Sequence, residues 1–184
     1  MNSMEKQRIF SAIQPSGSLH IGNYLGAIKQ WVELQGQYDT ILCVVDLHAI
    51  TVPQDPEVLS SRTLEAAKVY LAAGIDPLKV TLFVQSHVCE HAELGWIMTT
   101  IARMGELERM TQYKDKSQRG ESSSSGVGLF TYPTLMAADI LLYDTAVVPV
   151  GKDQMQHVEL ARDLAERFNK QFGETFVIPQ ATLS

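Results

Sequence analysis

The sequence is short of cysteine, of long apolar runs and of basic residues, and each shortage excludes a class of protein. Its two cysteines, Cys43 and Cys89, form no CxxC pair, so we expect no disulfide framework. No stretch approaches the roughly 18 apolar residues that a membrane-spanning helix needs. The polar residues 1–8 lack the apolar segment of a secretory signal. We therefore expect a cytoplasmic protein without a membrane partner.

The charge balance argues against a general nucleic-acid-binding domain. The 184 residues carry 15 Lys and Arg against 21 Asp and Glu, a net charge of −6. Affinity for a phosphate backbone comes largely from clustered basic side chains. DNA is therefore not expected as a partner, and any RNA surface is local or lies outside this chain. The 45% of hydrophobic residues fits one globular domain over 1–184.

Apolar, β-branched runs alternate with helix-period patterns along the chain. The runs predict strands over 9–13, 40–45, 80–85 and 146–150. The periodic segments predict helices over 22–34, between Asp55 and Gly74, and over 91–104, 105–114, 132–143 and 153–172. The serine-rich segment 117–128 is predicted to be a mobile loop. This alternation predicts an α/β fold with an open parallel sheet, which binds ligands at the carboxyl ends of its strands.

The turn after the first predicted strand is a candidate anion site. Gln14-Pro15-Ser16-Gly17 leads into a helix that begins near Gly22 and Asn23. Backbone N–H groups and the helix dipole favour phosphate at such a helix start, and His20 and Asn23 could donate further hydrogen bonds. A plain strand–turn–helix junction explains the same spacing, because a short glycine-containing turn is a weak signal.

The motifs taken together resemble one enzyme family. His20-Ile21-Gly22-Asn23 is similar to the HIGH signature of class I aminoacyl-tRNA synthetases, with Asn23 in place of the last histidine, a variation common in tryptophanyl enzymes. Further segments resemble bacterial-type tryptophanyl-tRNA synthetases in family order from Ile9 to Pro179: 14–17, 45–51, 105–112, 132–141 and 148–154. The resemblance implies a Rossmann-like catalytic domain that uses ATP and Mg²⁺ to join L-tryptophan to tRNA(Trp).

The resemblance also assigns an amino-acid pocket around Asp139, an acid within an apolar segment. Such a carboxylate needs a partner, so it is either a structural acid tied to a backbone donor or an arginine, or a recognition group. In the family the matching acid accepts the indole N–H, and an unpaired acceptor there would reject phenylalanine-like side chains. The other residues that the resemblance places in this pocket are Phe10, His48, Tyr132, Met136, Val148, Val150 and Gln154.

Several of these pocket residues have simpler explanations. Phe10, Met136, Val148 and Val150 are each more readily explained, taken singly, as core packing. Tyr132 and Gln154 match positions that hold the substrate's amino group. His48 is as well explained by a satisfied structural histidine as by a direct ligand role.

The nucleotide is expected between the first turn and the segment after the last predicted strand. The resemblance implies that tryptophan's carboxylate attacks the α-phosphorus of ATP without a general base, so catalysis rests on alignment and charge stabilisation. Lys116 matches a lysine that reaches the triphosphate from a mobile insert, although a solvated basic surface also explains 114–117. Relatives often have an acid at Lys152. The implied ATP contacts are Gln14, Pro15, Ser16, Gly22, Asn23, Gly151, Lys152 and Asp153, and the implied catalytic residues are His20, Asn23 and Lys116.

Two further expectations concern metals and the extent of the chain. His87, Cys89 and His91 alternate but match no zinc signature, so no metal site built from protein side chains is predicted. In the family, the KMSKS loop and a helical anticodon-binding domain, which makes most tRNA contacts, follow the equivalent of Ser184. We expect little activity from these 184 residues alone, a connective insert over 86–128, and a homodimer formed through 90–111. A tyrosine-activating relative and a non-catalytic tryptophan- or nucleotide-sensing module remain as alternatives.

Overall fold

The computed structural model describes residues 6–15, 22, 24–111 and 126–183, which form a parallel sheet with helices on both faces. The strands are β1 Arg8–Ile13, β2 Asp39–Val44, β3 Val80–Val84, β4 Val147–Val150 and β5 Gln180–Leu183. A π-helical turn, Tyr24–Ile28, runs into α1 Lys29–Leu34, and the other helices are α2 Asp46–Ala49, α3 Pro56–Ala72, α4 Glu90–Ile101, α5 Met104–Leu107, α6 Gly128–Leu141 and α7 Met155–Phe172. The predicted open α/β fold is confirmed.

The order of the strands creates a crevice beside β1. The sheet runs β3-β2-β1-β4-β5, and every pairing in it is parallel. Strand β1 pairs with β2 from Arg8↔Asp39 to Ile13↔Val44, and with β4 at Ile9↔Val147. Because β2 and β3 lie on one side of β1 and β4 and β5 lie on the other, the order of strands reverses between β1 and β4, and a gap opens above their carboxyl ends.

Strand β2 shows how the alternation of side chains builds a core on each face. Ile41 and Cys43 pack into the core that α4, α6 and α7 cover, and Cys43 is fully buried there. Leu42 and Val44 point to the opposite core, which includes Trp31 and Tyr70. None of the described helices is both long and apolar enough to cross a bilayer.

The bounds of two predicted helices were wrong, and one strand was missed. Within the described part of 105–114, helix α5 covers only Met104–Leu107; Glu106 caps its start by accepting from the backbone N–H of Arg103, and Arg167 of α7 binds the same carboxylate. Helix α6 begins at Gly128, four residues before the predicted start, and keeps Pro133 in its interior. Strand β5 was missed because Gln180–Leu183 is short and largely exposed. Residues 117–125 of the predicted loop lie outside the described residues.

Long-range hydrogen bonds fix the segment that leads into β5. The Asn169 side chain accepts from the N–H groups of Thr175 and Phe176 at 3.0 and 2.9 Å and donates to the Phe176 carbonyl at 2.8 Å. Arg162 Nη1 donates to the Pro179 carbonyl at 2.6 Å. These contacts hold the segment against α7, so β5 aligns with β4 although its own sequence has little strand character.

Candidate functional site

A cavity of about 620 Å³ opens at the carboxyl ends of β1 and β4. It is bounded by β1, β4, the π-helical turn with α1, helix α2 and helix α6. Ten residues that the sequence analysis assigned to a ligand line it: Phe10, Gln14, His48, Tyr132, Met136, Asp139, Val148, Val150, Gly151 and Gln154. Residues separated by more than a hundred positions in the chain therefore meet in one space.

The other assigned residues do not line this cavity or lie outside the described part of the chain. Pro15 is buried, whereas Gly22, Lys152 and Asp153 are exposed. A Cβ on Gly151 would lie 2.8 Å from Oδ1 of Asp153, so the carboxylate occupies the space that a side chain at Gly151 would need. Four assigned residues lie outside the described residues: Ser16, His20, Asn23 and Lys116.

Asp139 is buried at the cavity wall and already has partners. Its side chain is 2% exposed. Oδ1 accepts from Gln85 Nε2 at 2.7 Å and from His91 Nδ1 at 2.6 Å, and Oδ2 lies 2.8 Å from His48 Nε2. The expectation of an unpaired acceptor is therefore wrong, and the partners are neither backbone donors nor an arginine. Two histidines and an amide hold the carboxylate instead.

These partners keep Asp139 in its charged form. Burial alone would raise the pKa of Asp139, but hydrogen bonds and attraction from His48 and His91 more than offset it, so the pKa lies below its ordinary value. A carboxylate has about four acceptor positions, and among the described residues three donors reach this one. Asp139 can therefore accept one more hydrogen bond from the cavity.

Hydrogen bonds from Gln14 and Thr51 hold the backbone of His48 in place. Gln14, at the end of β1, donates its Nε2–H to the His48 carbonyl at 3.2 Å, and Thr51 Oγ1 donates to the same oxygen at 2.8 Å. The ring of His48 also meets Tyr132 edge-on, with centroids 6.0 Å apart. His48 thus joins the turn after β1 to the buried acid.

His157 is a site residue that the sequence analysis missed. Its Nε2 lies 2.8 Å from the hydroxyl of Tyr132, and the residue is 1% exposed. Burial is the main cause that lowers the pKa of His157 to about 4, so the ring is neutral at pH 7. Its helical spacing from Ala161 and Leu164 places it on the apolar stripe of α7, a signal by which the sequence could have identified it.

Gln85 and His91 were also missed as partners of Asp139. Gln85 follows β3 in a 3₁₀ turn, Gln85–His87, and His91 lies in the first turn of α4. Both are fully buried. A polar residue directly after an apolar strand is a usable signal, but its contact with an acid 54 residues away is set by the fold.

Comparisons with known proteins agree along almost the whole chain. Residues 2–184 match the family model of class I tRNA synthetases (W and Y). The chain is 65% identical over 174 residues to the tryptophan–tRNA ligase of Caldanaerobacter subterraneus subsp. tengcongensis, covering 95% of this chain and 53% of that one. It is 59% identical over 178 residues to the Bacillus subtilis tryptophan–tRNA ligase, with 97% and 53% covered. The chain thus spans about half the length of the curated relatives it matches.

Solved structures give the same picture. The tryptophanyl-tRNA synthetase of Campylobacter jejuni, solved in complex with ADP and tryptophan, matches with a TM-score of 0.90 and 50% identity, over 97% of this chain and 55% of that one. The tyrosyl-tRNA synthetase of Archaeoglobus fulgidus matches with a TM-score of 0.77 at 20% identity, over 98% and 56%. The second match bears on the fold alone.

Proposed function

The chain belongs to the class I tRNA synthetases of the tryptophan and tyrosine family, and on that premise we propose that it is the ATP- and tryptophan-binding part of a tryptophan–tRNA ligase. One observation carries the proposal. A buried, charged Asp139 lies at the wall of an otherwise largely apolar cavity and has capacity for one further donor.

The cavity suits an aromatic amino acid whose ring carries an N–H. Phe10, Met136 and Val148 supply apolar surface for a ring, and Asp139 supplies an acceptor for the indole N–H. Phenylalanine has no donor there, so its ring would leave the acid with one acceptor position unsatisfied. A tyrosine hydroxyl can donate to the acid as well, so only a comparison of tyrosine and tryptophan binding separates the tyrosine-activating alternative.

The proposed nucleotide site lies at the mouth of the same cavity. Gln14 and Gly151 follow β1 and β4, where the order of strands reverses. From the resemblance, Ser16, Gly22, Asp153 and the catalytic residues His20, Asn23 and Lys116 complete it. The tryptophan carboxylate is already ionised at neutral pH, so the residues need only align it with the α-phosphorus and stabilise phosphate charge. Mg²⁺ would arrive on the phosphates of ATP.

The proposal includes two macromolecular partners, tRNA(Trp) and a second copy of the chain. The adenylate would pass its aminoacyl group to tRNA(Trp), whose other contacts we assign mainly to the half of the relatives' length that this chain does not span. A homodimer would form through 90–111, where the side chains of Trp96 and Met104 are exposed. Sedimentation of the purified chain across a concentration series measures that association.

Isothermal titration of the 184-residue chain with tryptophan, tyrosine and phenylalanine, at ligand concentrations into the millimolar range, tests the proposal. We expect saturable binding with a preference for tryptophan. The Asp139→Asn variant should weaken tryptophan binding at least tenfold, because a hydrogen bond to a charged acceptor is lost. Asp163→Asn, the same substitution at an exposed acid on α7, is the matched control and should leave binding unchanged. Preference for tyrosine would establish the alternative, and equal weak binding of all three would refute recognition by Asp139.

A further inference from the structure

The alternating segment 87–91 contributes one residue to the site. His87 and Cys89 are exposed, whereas His91 is fully buried and bonded through both ring nitrogens. Its Nδ1 lies 2.6 Å from Oδ1 of Asp139, and its Nε2 lies 2.7 Å from the hydroxyl of Tyr143. The histidine that the sequence grouped with two exposed side chains therefore serves the buried acid.

The neighbouring groups fix the direction of each hydrogen bond. Gln85 Oε1 accepts from the backbone N–H of Leu47 at 3.1 Å, so its amide nitrogen must be the atom that faces Asp139. Tyr143 is held by its ring, which stacks on Phe10 with centroids 5.8 Å apart and planes 9° apart. Phe10 in turn lines the cavity. The side chains that hold His91 are thus in contact with a residue of the cavity wall.

The charge on Asp139 determines which nitrogen of each histidine ring carries a hydrogen. A carboxylate only accepts, so Nδ1 of His91 and Nε2 of His48 must each carry a hydrogen. Nε2 of His91 lies against the hydroxyl of Tyr143, which holds the ring from its other side. Oδ1 of Asp139 is occupied by two donors and Oδ2 by one. Among the described residues the remaining acceptor position is on Oδ2, the oxygen beside His48, and both Asp139 and His48 line the cavity.

We infer that His91 is a specificity-determining positioning residue: held by Tyr143, it donates to Oδ1 of Asp139 and so directs the acid's last acceptor position toward a ligand N–H. This inference rests on the proposed function and adds the source of its selectivity. His91 touches no ligand itself. Its loss is expected to weaken discrimination between a ring with an N–H and an isosteric ring without one, and to spare the affinity that both rings share.

The test compares L-tryptophan with β-(3-benzothienyl)-L-alanine, in which sulfur stands where the indole N–H is. The unchanged chain should prefer tryptophan. His91→Leu should reduce that preference roughly tenfold, through weaker tryptophan binding with unchanged analogue binding. His91→Asn, which can keep a donor near the position of Nδ1, should retain most of the preference. His87→Asn, at the exposed histidine of the same segment, is the matched control.

Equal loss of affinity for both ligands in His91→Leu would show a merely structural role and overturn the inference, as would an unchanged preference. Tyr143→Phe preserves shape, so it covers the case in which His91→Leu does not fold, and should reduce the preference several-fold. ¹⁵N NMR of the ligand-free chain reads the ring directly: we expect a hydrogen on Nδ1 of His91, and a ring that carries its hydrogen on Nε2 alone would refute the assignment. Failure of the unchanged chain to bind tryptophan would overturn the proposed function, while the tautomer measurement would still decide the role of His91.

Discussion

Two buried threonines allow a matched test of hydrogen bonding in this fold. Thr145 and Thr134 are each 1% exposed. Within the described residues, the Thr145 hydroxyl has no hydrogen-bond partner. The Thr134 hydroxyl contacts Thr99 Oγ1 and the Thr131 carbonyl, each at 2.6 Å. Replacing each threonine by valine exchanges the hydroxyl for a methyl group of similar size, so only the loss of hydrogen bonding differs between the two sites.

The two substitutions should have opposite signs. An unsatisfied buried hydroxyl costs about 1–2 kcal/mol, so Thr145→Val should raise the free energy of unfolding by about that amount. Thr134→Val removes two contacts and takes a partner from Thr99, so it should lower that free energy by about 1–3 kcal/mol. With a urea m-value of about 3 kcal/mol/M, Thr145→Val should raise the midpoint by roughly 0.3–0.7 M and Thr134→Val should lower it by roughly 0.3–1 M.

Urea unfolding followed by circular dichroism measures both midpoints against the unchanged chain. The m-values should stay equal, because neither change alters the surface exposed on unfolding. Midpoints that move in the same direction, or a Thr145→Val variant less stable than the original, would refute the hydrogen-bond assignment from which both signs were derived.

Three further predictions follow from the site and the packing around it. Because the pKa of His157 falls from 6.5 in the unfolded chain to about 4 when folded, the unfolded state binds the extra proton between those values, so stability should rise from pH 4 to pH 6.5 by up to about 3 kcal/mol. His157→Asn should flatten that rise in urea midpoints, and an unchanged slope would contradict it. Asn169→Ala should speed hydrogen exchange over residues 174–183 while α3 stays protected, since three hydrogen bonds are lost; uniform acceleration would contradict a local role. Gly151→Ala should displace the Asp153 carboxylate and weaken ATP binding several-fold by titration, with tryptophan binding retained; equal loss of both would point to damage of the whole site.

The elements with regular patterns could be predicted from the sequence. Strand β2 alternates between two apolar faces, and helix α3 is capped by Asp55, whose Oδ1 accepts from the backbone N–H groups of Glu57 and Val58 at 3.0 and 3.1 Å. Strand β5 could not be predicted in the same way, because Asn169 and Arg162 of α7 hold the segment that leads into it. Local pattern predicts an element only where local interactions decide it.

The same distinction applies to the site: part of it could be predicted from local sequence, and part depends on the fold. The apolar surroundings of Asp139 mark it in the sequence as a buried acid that needs a partner. Its partners His48, Gln85 and His91 are 91, 54 and 48 residues away, and only the packing of the fold brings them to it. The sequence assigned His48 through resemblance and could give no role to His91. Residue types in a motif can indicate a chemistry, but the state of a buried group depends on neighbours that the motif does not contain.

Because Cys43 is buried, chemical labelling of its thiol would report transient opening of the sheet. Its thiol lies within β2 at 0% exposure, and burial raises its pKa, whereas Cys89 is exposed to solvent. Thiol-modifying reagents attack the thiolate, so they should label Cys89 in the native protein and reach Cys43 only when the centre of the sheet comes apart. The rate of the second labelling event would then report how often the sheet opens, and its slowing on addition of a ligand would measure how strongly that ligand stabilises the sheet against opening.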